Sequence, residues 1–147
     1  MSPAVAKVSI ELHYRDPAAA LHWLQQVFGL ETELMVSDAA GQLVFARVSG
    51  GIGVVPEGPG RPSPSAFGGA ATDTVSVDLD SDVRAHCERA RAAGARIVIE
   101  PREEFYGALN YVAADLEGRN WCFSQQVSQG GPPPEGWSVR FPNRRPA

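Results

Sequence analysis

One short segment occurs twice in this chain. Residues 8–12 read VSIEL and residues 75–79 read VSVDL. Each copy is followed by an aspartate suited to cap a helix, by a stretch of helical spacing, and by a glycine suited to end the helix (Asp16 and Gly29, then Asp82 and Gly94). A repeated strand–helix unit predicts two equivalent modules around a shared core. Two such modules leave a concave cleft between them, where we expect a binding site.

The first module is predicted to contain one helix and four strands. Apolar and polar residues alternate over residues 8–14, which predicts a strand with one face toward the helix. The residues on that face are Val8, Ile10 and Leu12. The helix is expected to start after Asp16, with Pro17 at its first position. Three shorter strands are predicted over residues 31–36, 42–48 and 52–55.

The second module repeats this order, with a helix over residues 82–93 and strands from residue 75 and over 97–99, 109–113 and 121–126. We assign one domain to residues 1–128, with module one at about 8–56 and module two at about 74–128. Composition predicts either a linker or a mobile lid at 57–73, and a tail rich in Pro, Gly and Arg at 129–147. The predicted fold class is α+β: two βαβββ modules form a curved mixed sheet with a concave cleft, and the helices lie on its outer face.

Composition limits the classes of partner. The 147 residues are 44% hydrophobic and 20% charged, as in an ordinary globular protein, and the net charge is −4. This charge disfavours nucleic acid and anionic membranes. Residues 1–7 lack the apolar stretch of a signal segment, and no apolar run approaches the length of a membrane span, so we expect a cytoplasmic protein. Cys87 and Cys122 are expected to be buried free thiols.

Three parts of the chain carry a family likeness. They are residues 14–17 (YRDP) with 27–30 (VFGL), residues 92–95 (AAGA), and residues 115–118 (DLEG) with 121–123 (WCF). Over about residues 8–124 the chain resembles the vicinal oxygen chelate superfamily. That superfamily includes glyoxalase I, fosfomycin-resistance enzymes, extradiol dioxygenases and bleomycin-resistance proteins. The resemblance implies the same two-module fold.

The enzymes of that superfamily hold a divalent metal with His and Glu side chains from both modules. The matching positions in this chain fall near Ser9, near Gly53 or Val54, near Thr74 or Val75, and at Cys122. Serine and threonine hydroxyls are poor ligands for such ions, which prefer His, carboxylate or thiolate. The resemblance therefore implies a bleomycin-resistance-like branch that lacks the usual metal ligands, and we expect no metal or other cofactor.

Strand residues that alternate with the apolar ones are expected to face the cleft. Glu11 and Asp78 suit a cationic group of a ligand, and aromatic rings suit a flat one. The predicted ligand-binding residues are Glu11, His13, Phe45, Arg47, Asp78, Tyr106, Tyr111, Trp121 and Cys122. Core packing is the alternative for Phe45 and Trp121, and exposure to solvent is the alternative for Arg47. His86 is predicted to lie on the surface of the second helix.

The first hypothesis is a metal-independent protein that sequesters a small cationic or aromatic molecule, such as an antibiotic, in resistance or self-protection. We expect binding without catalysis by a homodimer, whose modules are either exchanged between subunits or packed side by side. The alternative is a lyase, isomerase or dioxygenase of the same fold with an atypical metal set, Glu11, His13 and Cys122. A third possibility is a protein-binding module that acts through its Pro-rich tail.

Overall fold

The structure is a computed structural model that describes residues 4–144, so residues 145–147 of the predicted tail and residues 1–3 lie outside the described residues. A π-helical turn (Leu24–Phe28) continues the first helix, and 3-10 turns occupy Ser49–Gly51 and Pro64–Phe67. No helix in this part of the chain is long and apolar enough to cross a membrane. The α-helices and strands are β1 (Glu11–Tyr14), α1 (Pro17–Trp23), β2 (Thr32–Ser37), β3 (Leu43–Val48), β4 (Ile52–Pro56), β5 (Thr74–Asp78), α2 (Val83–Ala92), β6 (Arg96–Glu103), β7 (Ala108–Ala114) and β8 (Asn120–Gln126).

The strands form two four-stranded mixed sheets with the same topology. The first sheet has the order β1-β4-β3-β2 and the second has the order β5-β8-β7-β6. In each sheet the first strand of the module pairs in parallel with the last strand, and the remaining neighbours pair antiparallel. Because one topology occurs twice, the structure confirms the α+β class and the two βαβββ modules.

The predicted helix ends are confirmed. The Asp16 side chain accepts a hydrogen bond from the Ala19 N–H at 3.0 Å, and Pro17 occupies the first helical position. In the second module Asp82 accepts from the N–H groups of Arg84 and Ala85 at 2.9 and 3.3 Å. Since these signals act within one helical turn, the sequence alone was sufficient to place both helices.

Each sheet buries the face that its own helix covers, and the two buried faces share one hydrophobic core. Leu12 and Val54 belong to this core from the first sheet, and Phe123 from the second. The ring of Phe28 lies 4.8 Å from that of Phe123 and 5.8 Å from that of Trp121, so the end of the first helical segment contacts the second sheet. Among the described residues, neither α-helix packs on the opposite face of its sheet, and this face, here called helix-free, lies on the surface of the chain.

The first strand is shorter than predicted. It begins at Glu11, which lies opposite Gly53 of β4. The same register places Ile10 opposite Ile52, the first residue of β4, so Val8 and Ser9 extend beyond the end of that partner. Val8 and Ile10 are 82% and 44% exposed and do not face the helix as expected. Leu12 alone of the predicted apolar set is buried in the core.

The connection between the modules packs against both of them. Nε of Arg15 in the first module donates to the Glu57 carboxylate at 3.0 Å, and the Ser65 hydroxyl donates to Glu117 of the second module at 2.7 Å. Within the connection, the backbone N–H and the hydroxyl of Ser63 donate to Glu57 at 3.2 and 2.7 Å. The bonds from Ser63, together with the nearby Arg15 guanidinium, lower the pKa of Glu57 to about 2. Residues 57–73, here called the connecting segment, thus have fixed contacts with each module.

Candidate functional site

The helix-free face of the first sheet brings together four of the predicted site residues. Cross-strand register places Glu11 beside Gly53 and Gly53 beside Arg47, while His13 lies one row further along. A Cβ atom on Gly53 would lie 3.1 Å from Cγ of Glu11 and 3.4 Å from a ring carbon of Phe45. Glycine at position 53 therefore allows both side chains to lie close to the strand.

The helix-free face of the second sheet carries mainly small polar side chains. Cys122 lies between Ser76 and Val112 in the register, and Asp78 lies opposite Ser124. Burial, and secondly the nearby Asp78 carboxylate, raises the pKa of the Cys122 thiol. This half-buried thiol is therefore protonated at neutral pH and is a weak hydrogen-bonding group rather than a thiolate.

Tyr111 and Trp121 do not lie on this face, contrary to the prediction. Both side chains are fully buried in the shared core, on the helix-covered side of the second sheet. The hydroxyl of Tyr111 suggested exposure, but it is 2.5 Å from Nδ1 of His86, and the indole N–H of Trp121 donates to Asp115 at 3.0 Å. A buried polar atom that has a hydrogen-bond partner within the protein does not require contact with water.

His86 is also buried, although the helical pattern predicted a surface position. Its side chain is 7% exposed, and Nε2 lies 2.9 Å from the carbonyl oxygen of Phe28. Since a carbonyl only accepts, Nε2 carries the proton and Nδ1 accepts from the Tyr111 hydroxyl. Burial lowers the pKa of His86, so its imidazole is neutral. Because it binds the end of the first helical segment, His86 joins the two modules.

Tyr106 lies at the edge of the second helix-free face. It occupies the turn between β6 and β7 and is 49% exposed. Its hydroxyl accepts from Nδ2 of Asn110 at 3.0 Å, and Asn110 belongs to the helix-free face. The adjacent Phe105 contacts both the Tyr106 ring (5.3 Å between centroids) and Trp137 of the tail (6.2 Å). The apolar part of the tail thus packs on this turn.

A buried charged cluster at the turn between β7 and β8 was not predicted. Asp115, Glu117 and Arg119 are 6%, 8% and 6% exposed. Asp115 accepts from the Tyr14 hydroxyl at 2.6 Å, and Glu117 accepts from the backbone N–H groups at the start of α1. All three side chains contact the first module, so the turn fastens the modules together. Three charged residues in one short hairpin were the available sequence signal for such a cluster. The groups that they bind, however, lie about a hundred residues away in the chain.

Arg119 also forms one wall of a cavity. Its Nη2 donates to the carbonyl oxygen of His13 at 2.7 Å, its Nη1 lies 3.6 Å from the Asp73 carboxylate, and its guanidinium lies over the Tyr14 ring. The cavity, here called the Arg119 cavity, has a volume of about 290 Å³ and separates β1 from the connecting segment. Besides Arg119 it is lined chiefly by Glu11, His13, Ser63, Phe67 and Asp73.

The sequence of this chain matches a known protein family. A family model described as the Glyoxalase/Bleomycin resistance protein/Dioxygenase superfamily matches residues 8–123. The chain belongs to this superfamily. Among solved structures it is similar to TioX from Micromonospora sp. ML1, with 35% sequence identity, 84% of this chain and 98% of that chain covered, and a TM-score of 0.65. Among curated proteins, none matches.

Two solved structures of lower sequence identity share the fold alone. One is TnmS3, an antibiotic binding protein from Streptomyces sp. CB03234, with 16% identity, 86% of this chain and 100% of that chain covered, and a TM-score of 0.65. The other is a glyoxalase-related enzyme from Clostridium phytofermentans, with 12% identity, 85% and 98% coverage, and a TM-score of 0.63. The fold therefore accommodates both ligand binding and catalysis, so the function must be inferred from the side chains of the site.

The side chains do not fit the divalent metal of the superfamily's enzymes. Ser76 and Cys122 stand side by side on the second sheet; a hydroxyl is a poor ligand for such an ion, and one thiol alone does not make a site. Within residues 4–144, no group of three or more His, Cys, Asp or Glu side chains is placed to hold a metal. The atypical set of Glu11, His13 and Cys122 is therefore not assembled within one chain.

Proposed function

We propose that this protein binds a small antibiotic or related natural product without a metal and sequesters it. The supporting observation is the chemistry of the two helix-free faces. One face combines an aromatic ring with charged side chains, and the other combines hydroxyl, thiol and amide groups with aliphatic ones. A ring and aliphatic groups beside hydrogen-bonding and charged groups suit a ligand that is partly apolar and partly polar. The antibiotic-binding TnmS3 has the same fold.

We further propose that the binding site is completed in a homodimer. Apolar side chains on the two helix-free faces are exposed in the single chain: Leu34 (opposite Arg47) is 39% exposed, Val36 (opposite Phe45) is 42% exposed, and Ile99 (opposite Val112) is 39% exposed. Exposed apolar side chains that share a surface favour an interface. Pairing the first sheet of one subunit with the second sheet of its partner would cover them and enclose a cleft.

The binding proposal is tested by calorimetric titration with a panel of aromatic and cationic glycopeptide antibiotics. Phe45→Ala removes a ring from the first helix-free face, so we expect it to weaken binding about tenfold. Phe141→Ala is the matched control, because that ring is 56% exposed in the tail, and it should leave binding unchanged. Absence of binding to every compound, or equal effects of the two variants, would contradict the proposal.

The dimer is tested by sedimentation equilibrium. Val36→Asp places a charge on the proposed interface and should shift the protein to monomers, while Val139→Asp in the tail should not. A wild-type protein that is monomeric at micromolar concentration would contradict the dimer proposal without affecting the binding test.

Metal analysis of the purified protein addresses the enzyme alternative. Stoichiometric metal that is lost in Glu11→Ala would favour that alternative.

A further inference from the structure

Two residues that line the Arg119 cavity each have a buried nitrogen without a hydrogen-bond partner among the described residues. Within the described part of the chain, neither Nε2 of His13 nor Nε of Arg119 is bonded, and both residues line this cavity. Folded proteins rarely leave buried polar atoms unpaired, because each such atom costs the energy of its lost hydration. Arginine Nε can only donate, so the missing partner of Arg119 is an acceptor.

The charge of Arg119 is also weakly compensated. The side chain is 8% exposed, yet the carboxylate nearest to it among the described residues, Asp73, is 3.6 Å away and its own side chain is 60% exposed. A buried cation is strongly stabilised only by a close, well-bonded anion. A guanidinium whose Nε–H lacks a partner is suited to a carboxylate, which accepts a charge-assisted hydrogen bond from it.

The remaining lining of the cavity defines the rest of the ligand. Phe67 is 63% exposed and offers a ring, and Pro62 and Pro64 add apolar surface. Glu11 and Asp73 contribute two negative charges against the one positive charge of Arg119, which disfavours a dianion. The cavity is therefore complementary to a hydrophobic group that carries a single carboxylate.

We propose that the Arg119 cavity binds a carboxylate attached to an aromatic or aliphatic body, with its oxygens directed at Arg119 and His13. This inference rests on the proposed function, because it names the chemical group by which the sequestered molecule is held. It adds the connecting segment to the site as the wall that carries Phe67 and Asp73.

The test compares two probes of one shape, 3-phenylpropionate and its neutral amide, at pH 7. Binding is followed by nitrogen–proton NMR, and the Arg119 Nε–H signal is assigned by its loss in Arg119→Lys. We expect the carboxylate to bind at least about tenfold more tightly than the amide and to shift this signal. Equal binding of both probes, or no binding of either, overturns the proposal.

A second variant keeps the test meaningful if Arg119 variants fold poorly. Asp73→Asn removes an exposed carboxylate that competes for the guanidinium, so carboxylate binding should become about fivefold tighter and amide binding should not change. Glu135→Gln removes the same charge from the tail, outside the cavity, and serves as the control. Unchanged or weaker carboxylate binding in Asp73→Asn overturns the inference. The antibiotic panel then still decides the proposed function, since its compounds also contact the helix-free faces.

Discussion

Glu117 provides the clearest test of how the modules are held together. One carboxylate oxygen accepts from the Arg15 N–H at 2.8 Å and from the Ser65 hydroxyl at 2.7 Å, and the other accepts from the Asp16 N–H at 3.0 Å. The side chain is only 8% exposed, so water cannot readily replace these bonds. Glu117 thus joins the second module to the start of α1 and to the connecting segment.

Two substitutions separate its contributions. Glu117→Gln keeps the two hydrogen bonds at one oxygen but turns an amide NH2 toward the Asp16 N–H. One charge-assisted hydrogen bond is then lost, and the Asp16 N–H is left without an acceptor. We expect this to lower the free energy of unfolding by about 2 kcal/mol. Glu117→Ala loses all three bonds, and we expect a loss of about 4 kcal/mol.

The assay is equilibrium urea denaturation followed by circular dichroism at one fixed protein concentration, because a dimer gains stability with concentration. Glu33→Gln is the control, since Glu33 is exposed on β2, and it should change the free energy of unfolding by less than about 0.5 kcal/mol. If Glu117→Ala costs no more than this control, the carboxylate does not fasten the modules and the reasoning is wrong.

Three further predictions concern other parts of the core. Burial lowers the pKa of His86 below its ordinary value of 6.5, so below about pH 6.5 the unfolded chain binds a proton that the folded chain resists. The free energy of unfolding should therefore decrease as pH drops through 6.5 toward the lowered pKa. In urea denaturation, His86→Gln should show a smaller decrease over the same pH range, and an equal decrease in both proteins would contradict this prediction. Cys122 is half-buried and Cys87 is fully buried. A disulfide exchange reagent should therefore label the native protein slowly and only at Cys122. Labelling of the folded Cys122→Ser variant would disprove this prediction. A Cβ on Gly118, where φ is +98°, would lie 1.9 Å from a carbonyl oxygen of the connecting segment, so Gly118→Ala should cost about 3 kcal/mol in thermal denaturation. Gly41→Ala, with φ of +80° and open space, should cost only about 1 kcal/mol, and similar losses for both would refute the steric argument.

Local signals in the sequence predicted most of the secondary structure. The caps at Asp16 and Asp82 and the stops at Gly29 and Gly94 act within a few residues, and the structure confirms them. Alternation also placed Glu11 and His13 on the face opposite Leu12, because successive strand residues point to opposite sides. The start of β1 was predicted too early, since the length of a strand depends on the partner that it pairs with.

The candidate site was less accessible from sequence. Tyr111 was assigned to the cleft because of its hydroxyl, yet the partner of that hydroxyl is His86 on a different element. The burial of the charged turn at Asp115, Glu117 and Arg119 is not predictable from the local sequence, because a short run of charged residues is usually solvated. Arg119 contacts His13 across a separation of 106 residues, which no local pattern indicates.

The sequence by itself determined that this chain has two copies of one strand–helix unit, where each helix starts and stops, and which strand residues share a face. These features depend on periodicity and on bonds within a single turn. Only the tertiary structure decided that Asp115, Glu117 and Arg119 are buried between the modules, and that the connecting segment lies beside β1 to form a cavity. The physical reason is that the burial and pairing of a charge depend on groups that folding brings together from distant parts of the chain.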